Sequence, residues 1–151
     1  MTVIAWDGIT MAADKMADAG GSRLSVTKIF RLKDGSLVGC TGGLAKGLQL
    51  IDWLDNSREP DKYPNNDDGD GNTIASLLHI TLDGRKFRYE AYSTPFEIED
   101  EKCAVGSGID FAIMAMYLGH SAVEAVNYTN WLCTSCGCGV DALRLIKEEI
   151  L

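Results

Sequence analysis

The chain has 151 residues, a size that fits one domain, and 46% of them are apolar, enough to bury a core. A formal net charge of −8 and a pI near 4.6 argue against a nucleic-acid binder, which would carry a basic face. No charged leader and apolar stretch opens the chain and no apolar run could span a bilayer, so a cytoplasmic protein with no membrane partner is expected.

VIAW and ITMAA flank Asp7-Gly8, a dipeptide suited to a tight turn with positive φ at both central positions. Residues 3–6 and 9–13 are therefore predicted to pair as strands. Both are almost continuously apolar, so both faces of their sheet should be covered. MADAGGSRLS reads as a glycine-bearing loop, and VTKIFRL and SLVGCTG around KDGS as a second hairpin. GLAKGLQLIDWLDN is predicted to be a helix because Leu44, Leu48, Ile51 and Leu54 share one stripe. SREPDKYPNNDDGDGN is polar, carries two prolines and reads as a surface loop. SLLHITL and KFRYEAY around LDGR form a third hairpin, TPFEIED a short edge strand or turn, and KCAVGSG a strand ending in a glycine turn. Helices are predicted over IDFAIMAMYLG and HSAVEAVNYTNWLC, the second with the Ser121–Glu124 spacing of a capping box. GVDALRLI reads as the last strand. Antiparallel hairpins with helices in blocks mean an α+β fold of stacked sheets between helical layers.

Three polar residues lie in or beside these apolar strands: Thr2, Asp14 and Lys28. Singly, each has a plain structural explanation: a frayed terminus, a turn cap, and a lysine whose head reaches water. Together they suit nucleophilic chemistry. Loss of Met1 would leave Thr2 with a free α-amine beside its own hydroxyl. Such an amine titrates at about 7.7–8.0 in model peptides and serves as a base near neutral pH. A Thr hydroxyl needs a base of this kind to attack. The Lys28 ammonium would depress the amine's pKa by like-charge repulsion, and Asp14 would pair with Lys28.

MTVIAWDGITMAAD, VTKIF, LVGCTGGLAKG and AVGSGIDFA, in that order, resemble the proteasome β-subunit and HslV peptidase family of threonine-type N-terminal-nucleophile hydrolases. In that family a Thr opens the first strand, an Asp ends the second, and a Lys followed by a hydrophobic residue starts the third. A Gly-x-x-Gly turn then leads into the first helix, and Gly-Ser-Gly opens a later one. Thr2, Asp14, Lys28, Gly39 and Ser107 fall on those positions. The resemblance implies a four-layer αββα sandwich and a peptidase in which Thr2 attacks the amide carbonyl and its own amine takes the proton. It gives the oxyanion to the Gly39 N–H, the electrostatic tuning to Lys28 and Asp14, and a hydrogen bond near the amine to Ser107. It further implies a homo-oligomeric ring around a chamber, peptide or unfolded protein as substrate, and no cofactor, and it leaves room for an ATPase unfoldase as partner.

CTSCGCGVD resembles the family's later support segment, an Asp followed by Ser-Gly-Gly and an acid. Asp141 matches the last acid, but Cys133 stands at the supporting Asp and Cys136 at the Ser. Two other functions therefore stay open: a catalytically silent subunit of the same fold, and an amidohydrolase acting on small amides. The odd count of five cysteines does not suggest a disulfide framework. Cys133, Cys136 and Cys138, even with Cys40, lack the paired short spacings of a zinc site, and His79 and His120 are isolated. NNDDGDGNT lacks the closing Glu of an EF-hand loop, so no metal is expected. The apolar helices over 109–118 and 121–133, with Trp53 and Trp131, are expected to expose surface for subunit contacts.

Overall fold

In the computed structural model, which describes residues 1–146, the first apolar run folds into β1 (Ile4–Trp6) and β2 (Thr10–Asp14). Their turn departs from the expected form, because Gly8 has a positive φ of 99° and Asp7 does not. The Asp7 carboxylate instead accepts from the N–H groups of Ile9 and Thr10 at 2.9 and 2.8 Å. A side chain that closes its own turn removes the need for a second left-handed residue.

MADAGGSRLS, expected as a loop, is itself a hairpin of β3 (Met16–Ala19) and β4 (Ser22–Ser25). Beyond Met16 its side chains are half-buried or exposed, so no apolar period marked it. The second hairpin forms from β5 (Ile29–Arg31) and β6 (Leu37–Gly42), and α1 (Leu44–Asn56) follows. Then come β7 (Ala75–Ile80), β8 (Lys86–Tyr89), the edge strand β9 (Phe96–Ile98) and β10 (Cys103–Val105). Two helices, α2 (Ile109–Tyr117) and α3 (Ala122–Leu132), precede β11 (Val140–Arg144). One sheet has the order β10-β1-β2-β11 and the other β5-β6-β7-β8-β9, antiparallel throughout.

Strand alternation sorts the side chains of β1 to two cores. Ile4 and Trp6 point inward and pack with Met11 and Ala13 against Ile29, Leu37, Leu78 and Ile80 of the facing sheet. Val3 and Ala5 point outward, where α2 and α3 cover them through Ala112, Met116 and Val126. On the far side α1 packs Leu50, Trp53 and Leu54 on Val38, Cys40 and Leu77. The result is the expected four-layer αββα sandwich, with two helices on one side and α1 on the other.

The buried stripe of α1 is Gly47, Leu50, Ile51, Trp53 and Leu54, so Leu48 faces solvent rather than the core. Gly47 sets this rotation: a Cβ there would lie 2.8 Å from the Cβ of Cys40, so the helix approaches the sheet on its glycine face. The same rotation buries Trp53, whose indole N–H donates to the Glu59 carbonyl at 2.8 Å. Trp53 therefore adds nothing to the exposed apolar surface, contrary to expectation. Among the described residues no helix is long and apolar enough to cross a membrane.

Candidate active site

The end of β2 folds its last side chain back onto the start of the chain. The Asp14 N–H donates to the Val3 carbonyl at 3.2 Å, and Asp14 Oδ1 accepts from the Val3 N–H at 3.1 Å. Lys28 enters just before β5 and reaches the same oxygen with Nζ at 2.8 Å. Its ammonium also donates to Thr2 Oγ1 at 3.2 Å and to the Met1 carbonyl at 3.1 Å. Thr2, Asp14 and Lys28 are all buried. Burying an ion pair is costly unless further hydrogen bonds satisfy it. Here Asp14 Oδ2 accepts from the N–H groups of Met16 and Gly137 at 3.2 and 3.1 Å, so each carboxylate oxygen accepts two hydrogen bonds.

The loop between β10 and α2 holds residue 2 from the other side. Ser107 Oγ accepts from the Thr2 N–H at 3.0 Å and donates to the Thr2 carbonyl at 3.3 Å, which also accepts from the Gly108 N–H at 3.1 Å. Gly106 has a φ of 99°, and a Cβ on it would stand 2.2 Å from the Thr2 oxygen, so only glycine fits there. While Met1 is attached, Thr2 Oγ1 donates to the Met1 carbonyl at 2.6 Å. In that state the Thr2 nitrogen is a planar amide whose lone pair is delocalised and cannot act as a base.

Four of the five residues expected at the site thus converge; Gly39 does not. It lies inside β6, paired with Ile29 and Leu78, and a Cβ on it would meet Ile4 Cδ1 at 2.7 Å. Its role is close packing between the two sheets. The cleft of about 230 Å³ beside Thr2 is lined instead by Gly42 and Gly43, together with Met16, Val26, Lys28, Cys40 and Leu44. The Cys40 N–H points toward β5, bonding Lys28 O at 3.0 Å, and the Gly43 N–H points the opposite way, bonding Ile74 O at 2.9 Å. Backbone N–H groups alternate along a strand, so the Gly42 N–H points as Cys40's does, past the end of β5 and into the cleft. Gly42 has a φ of 83°, and a Cβ there would lie 2.5 Å from the Ile74 oxygen. The sequence motif held both glycines; strand direction separates them.

The segment after α3 completes the surroundings. Gly137 supplies one N–H to Asp14 and accepts from the Lys15 N–H at 2.9 Å. Cys136 is buried beside Gly108, and burial, the Asp14 charge and the Cys133 side chain push its thiol up to about 12, so it is neutral. Asp141 pairs at 2.6 Å with Lys15 at the partly exposed margin and does not touch Thr2. All five cysteines are free thiols, and among the described residues no three His, Cys, Asp or Glu side chains converge as a metal site needs. In the acidic loop Asp67 Oδ1 is already occupied by the N–H groups of Gly69 and Gly71.

No protein-family model matches the chain, and no curated protein matches it. Solved structures do. The chain is similar to Thiobacillus denitrificans BPH in complex with epoxomicin, at 21% identity over 99% of this chain and 100% of that one, with a TM-score of 0.72. A second Thiobacillus denitrificans BPH structure matches at 22% identity, 97% and 99% coverage and a TM-score of 0.68. Eukaryotic HslV from Trypanosoma brucei matches at 19% identity, 95% and 97% coverage and a TM-score of 0.71. These likenesses establish the fold as the HslV and proteasome-subunit type.

Proposed function

We propose that the protein is a threonine-type peptidase whose nucleophile is Thr2, freed by removal of Met1. The observation that carries this reading is the Lys28 ammonium bonded to both Thr2 Oγ1 and Asp14 Oδ1, with all three residues buried at the base of an open cleft. After Met1 leaves, the nitrogen beside Ser107 Oγ becomes an amine and takes the Thr2 hydroxyl proton, directly or through a water. Lys28 stabilises the forming alkoxide and keeps the amine unprotonated near neutral pH. Thr2 Oγ attacks the amide carbonyl, and the oxyanion forms against the Gly42 N–H; a donor of this kind contributes on the order of 10²–10³ in rate. The amine returns the proton to the leaving nitrogen, and water then hydrolyses the ester on Thr2. Ser107 and Gly108 hold residue 2 in place throughout.

The substrate in this reading is peptide or unfolded protein, cut inside a homo-oligomeric ring that accepts an ATPase unfoldase as partner. The likeness to HslV supports the ring, as does the apolar face of α2 and α3, where Met114, Tyr117, Leu118 and Trp131 stand exposed. The test is turnover of a fluorogenic peptide panel by protein whose mass shows that Met1 is gone, with epoxomicin as a competitor. Thr2→Ala should abolish hydrolysis and Thr2→Ser should keep part of it. Full activity of Thr2→Ala would sink the assignment. Cys133 and Cys136 at the support positions favour a second reading, the silent subunit, and Met-free protein inert toward peptides and small amides would establish it. Turnover of small amides alone would make the protein an amidohydrolase.

A further inference from the structure

Cys133 and Cys136 take no part in the chemistry proposed for Thr2, yet they are built as a pair. Cys133 is the C-cap of α3, and the Cys136 N–H donates to the Cys133 carbonyl at 3.3 Å, closing a turn. A turn of this span holds its end Cα atoms within about 7 Å, close to the range of about 4.4–6.8 Å that a disulfide requires. Cys133, partly exposed, and Cys136, largely buried, both line an open cavity of about 650 Å³ with Arg23 and Trp131. The more accessible thiol of the two is the attacking sulfur and the more buried one the resolving sulfur. Cys40 and Cys103 lie in other cores, under α1 and between the sheets. The residue after Cys136 is Gly137, whose N–H bonds Asp14 Oδ2.

We propose that Cys133 and Cys136 form a redox couple that a low-molecular-weight disulfide closes, and that closure withdraws the Gly137 N–H from Asp14. In the first step the Cys133 thiolate attacks one sulfur of the small disulfide, forming a mixed disulfide and expelling one small thiolate. Cys136 then gives its proton to solvent and attacks the Cys133 sulfur, and the second small thiolate leaves. Both leaving groups are protonated by solvent. One protein S–S bond forms, one small S–S bond breaks, and two electrons pass to the small disulfide. Drawing the Cys136 sulfur toward Cys133 moves it off Gly108 and carries Gly137 with it. Asp14 Oδ2 then keeps only the Met16 N–H.

The experiment treats the whole protein with glutathione disulfide and follows intact mass, thiol mapping after alkylation, and the backbone amide spectrum. The expected result is loss of two hydrogens, a Cys133–Cys136 linkage, free thiols at Cys40, Cys103 and Cys138, and shifted Gly137 and Met16 amide signals. Cys133→Ser and Cys136→Ser should each prevent the linkage, and Cys138→Ser should not. A stable glutathione adduct on Cys133, absence of any reaction, a linkage through Cys138, or unmoved Gly137 and Met16 amides would overturn the proposal. The consequence for turnover rests on the peptidase reading: oxidation should lower it and a thiol should restore it. Mapping and amide signals need no activity, so they judge the couple even if that reading fails.

Discussion

At Lys28 burial sets the cost of a substitution. Lys28→Met would leave the Asp14 carboxylate fully buried with no counter-charge, a loss of about 3–5 kcal/mol. Lys28→Met with Asp14→Asn should cost less than the two single changes summed, as read by denaturant unfolding; strict additivity would show that the pair does not interact. His79 carries a second prediction. Its Nε2 sits 2.9 Å from Ser36 Oγ, and burial, aided by Arg58 and opposed by Asp34, pushes its pKa from 6.5 down to about 4. Between those values the unfolded chain binds a proton that the folded protein refuses, so stability is full above pH 6.5 and falls as pH drops toward 4, by up to about 3 kcal/mol. His79→Gln should flatten that part of a melting-temperature profile; an unchanged slope would assign it to other groups. Thr2, Asp14 and Lys28 were legible in the sequence as polar residues in or beside apolar strands, and Ser107 only through the resemblance to a known family. Gly137, which bonds Asp14 through its N–H, and Gly42, which lines the cleft, were not, since the direction of a backbone N–H depends on where strands end.

Among the elements, α3 shows how local code and tertiary contact combine. Both halves of its capping box form: the Glu124 N–H donates to Ser121 Oγ at 3.2 Å, and Glu124 Oε1 accepts from the Ser121 N–H at 3.3 Å. The Ala122 N–H beside them donates to Asp7 Oδ2 at 2.9 Å, which ties the helix start to the β1–β2 turn. Ser121→Ala should therefore destabilise by about 1 kcal/mol, and Asp7→Ala should weaken the turn and the helix together. Hydrogen exchange checks the second: faster exchange confined to the turn would contradict the coupling. The cap was readable from the three-residue separation of Ser121 and Glu124. The Asp7 contact was not, because it joins residues far apart in the chain. The β3–β4 hairpin escaped because exposed strands leave no apolar alternation, and the face of α1 shifted because a glycine, not a leucine, sits nearest the sheet.

On the scale of the whole molecule, the two sheets fix Thr2 between them and the helices leave one large face uncovered. Trp131 is 84% exposed and Leu118 73%, more apolar surface than an isolated domain of this size needs to show. Mass photometry at low micromolar protein should find a closed oligomer, and Trp131→Glu should shift it to smaller species; a monomer that is fully active would remove the chamber from the account. The layered fold was legible because strand and helix periods alternate in blocks, whereas the exposed face was only half legible, since Trp53 turned inward. The most direct test of Thr2 as the nucleophile traps the acyl-enzyme: native protein is mixed with a slowly hydrolysed peptide ester, then quenched with acid and mapped by mass spectrometry. Met-free protein should carry an acyl group on Thr2, and protein that retains Met1 should carry none. An acyl group on Ser107 or on a cysteine, or turnover with Met1 still attached, would contradict that role.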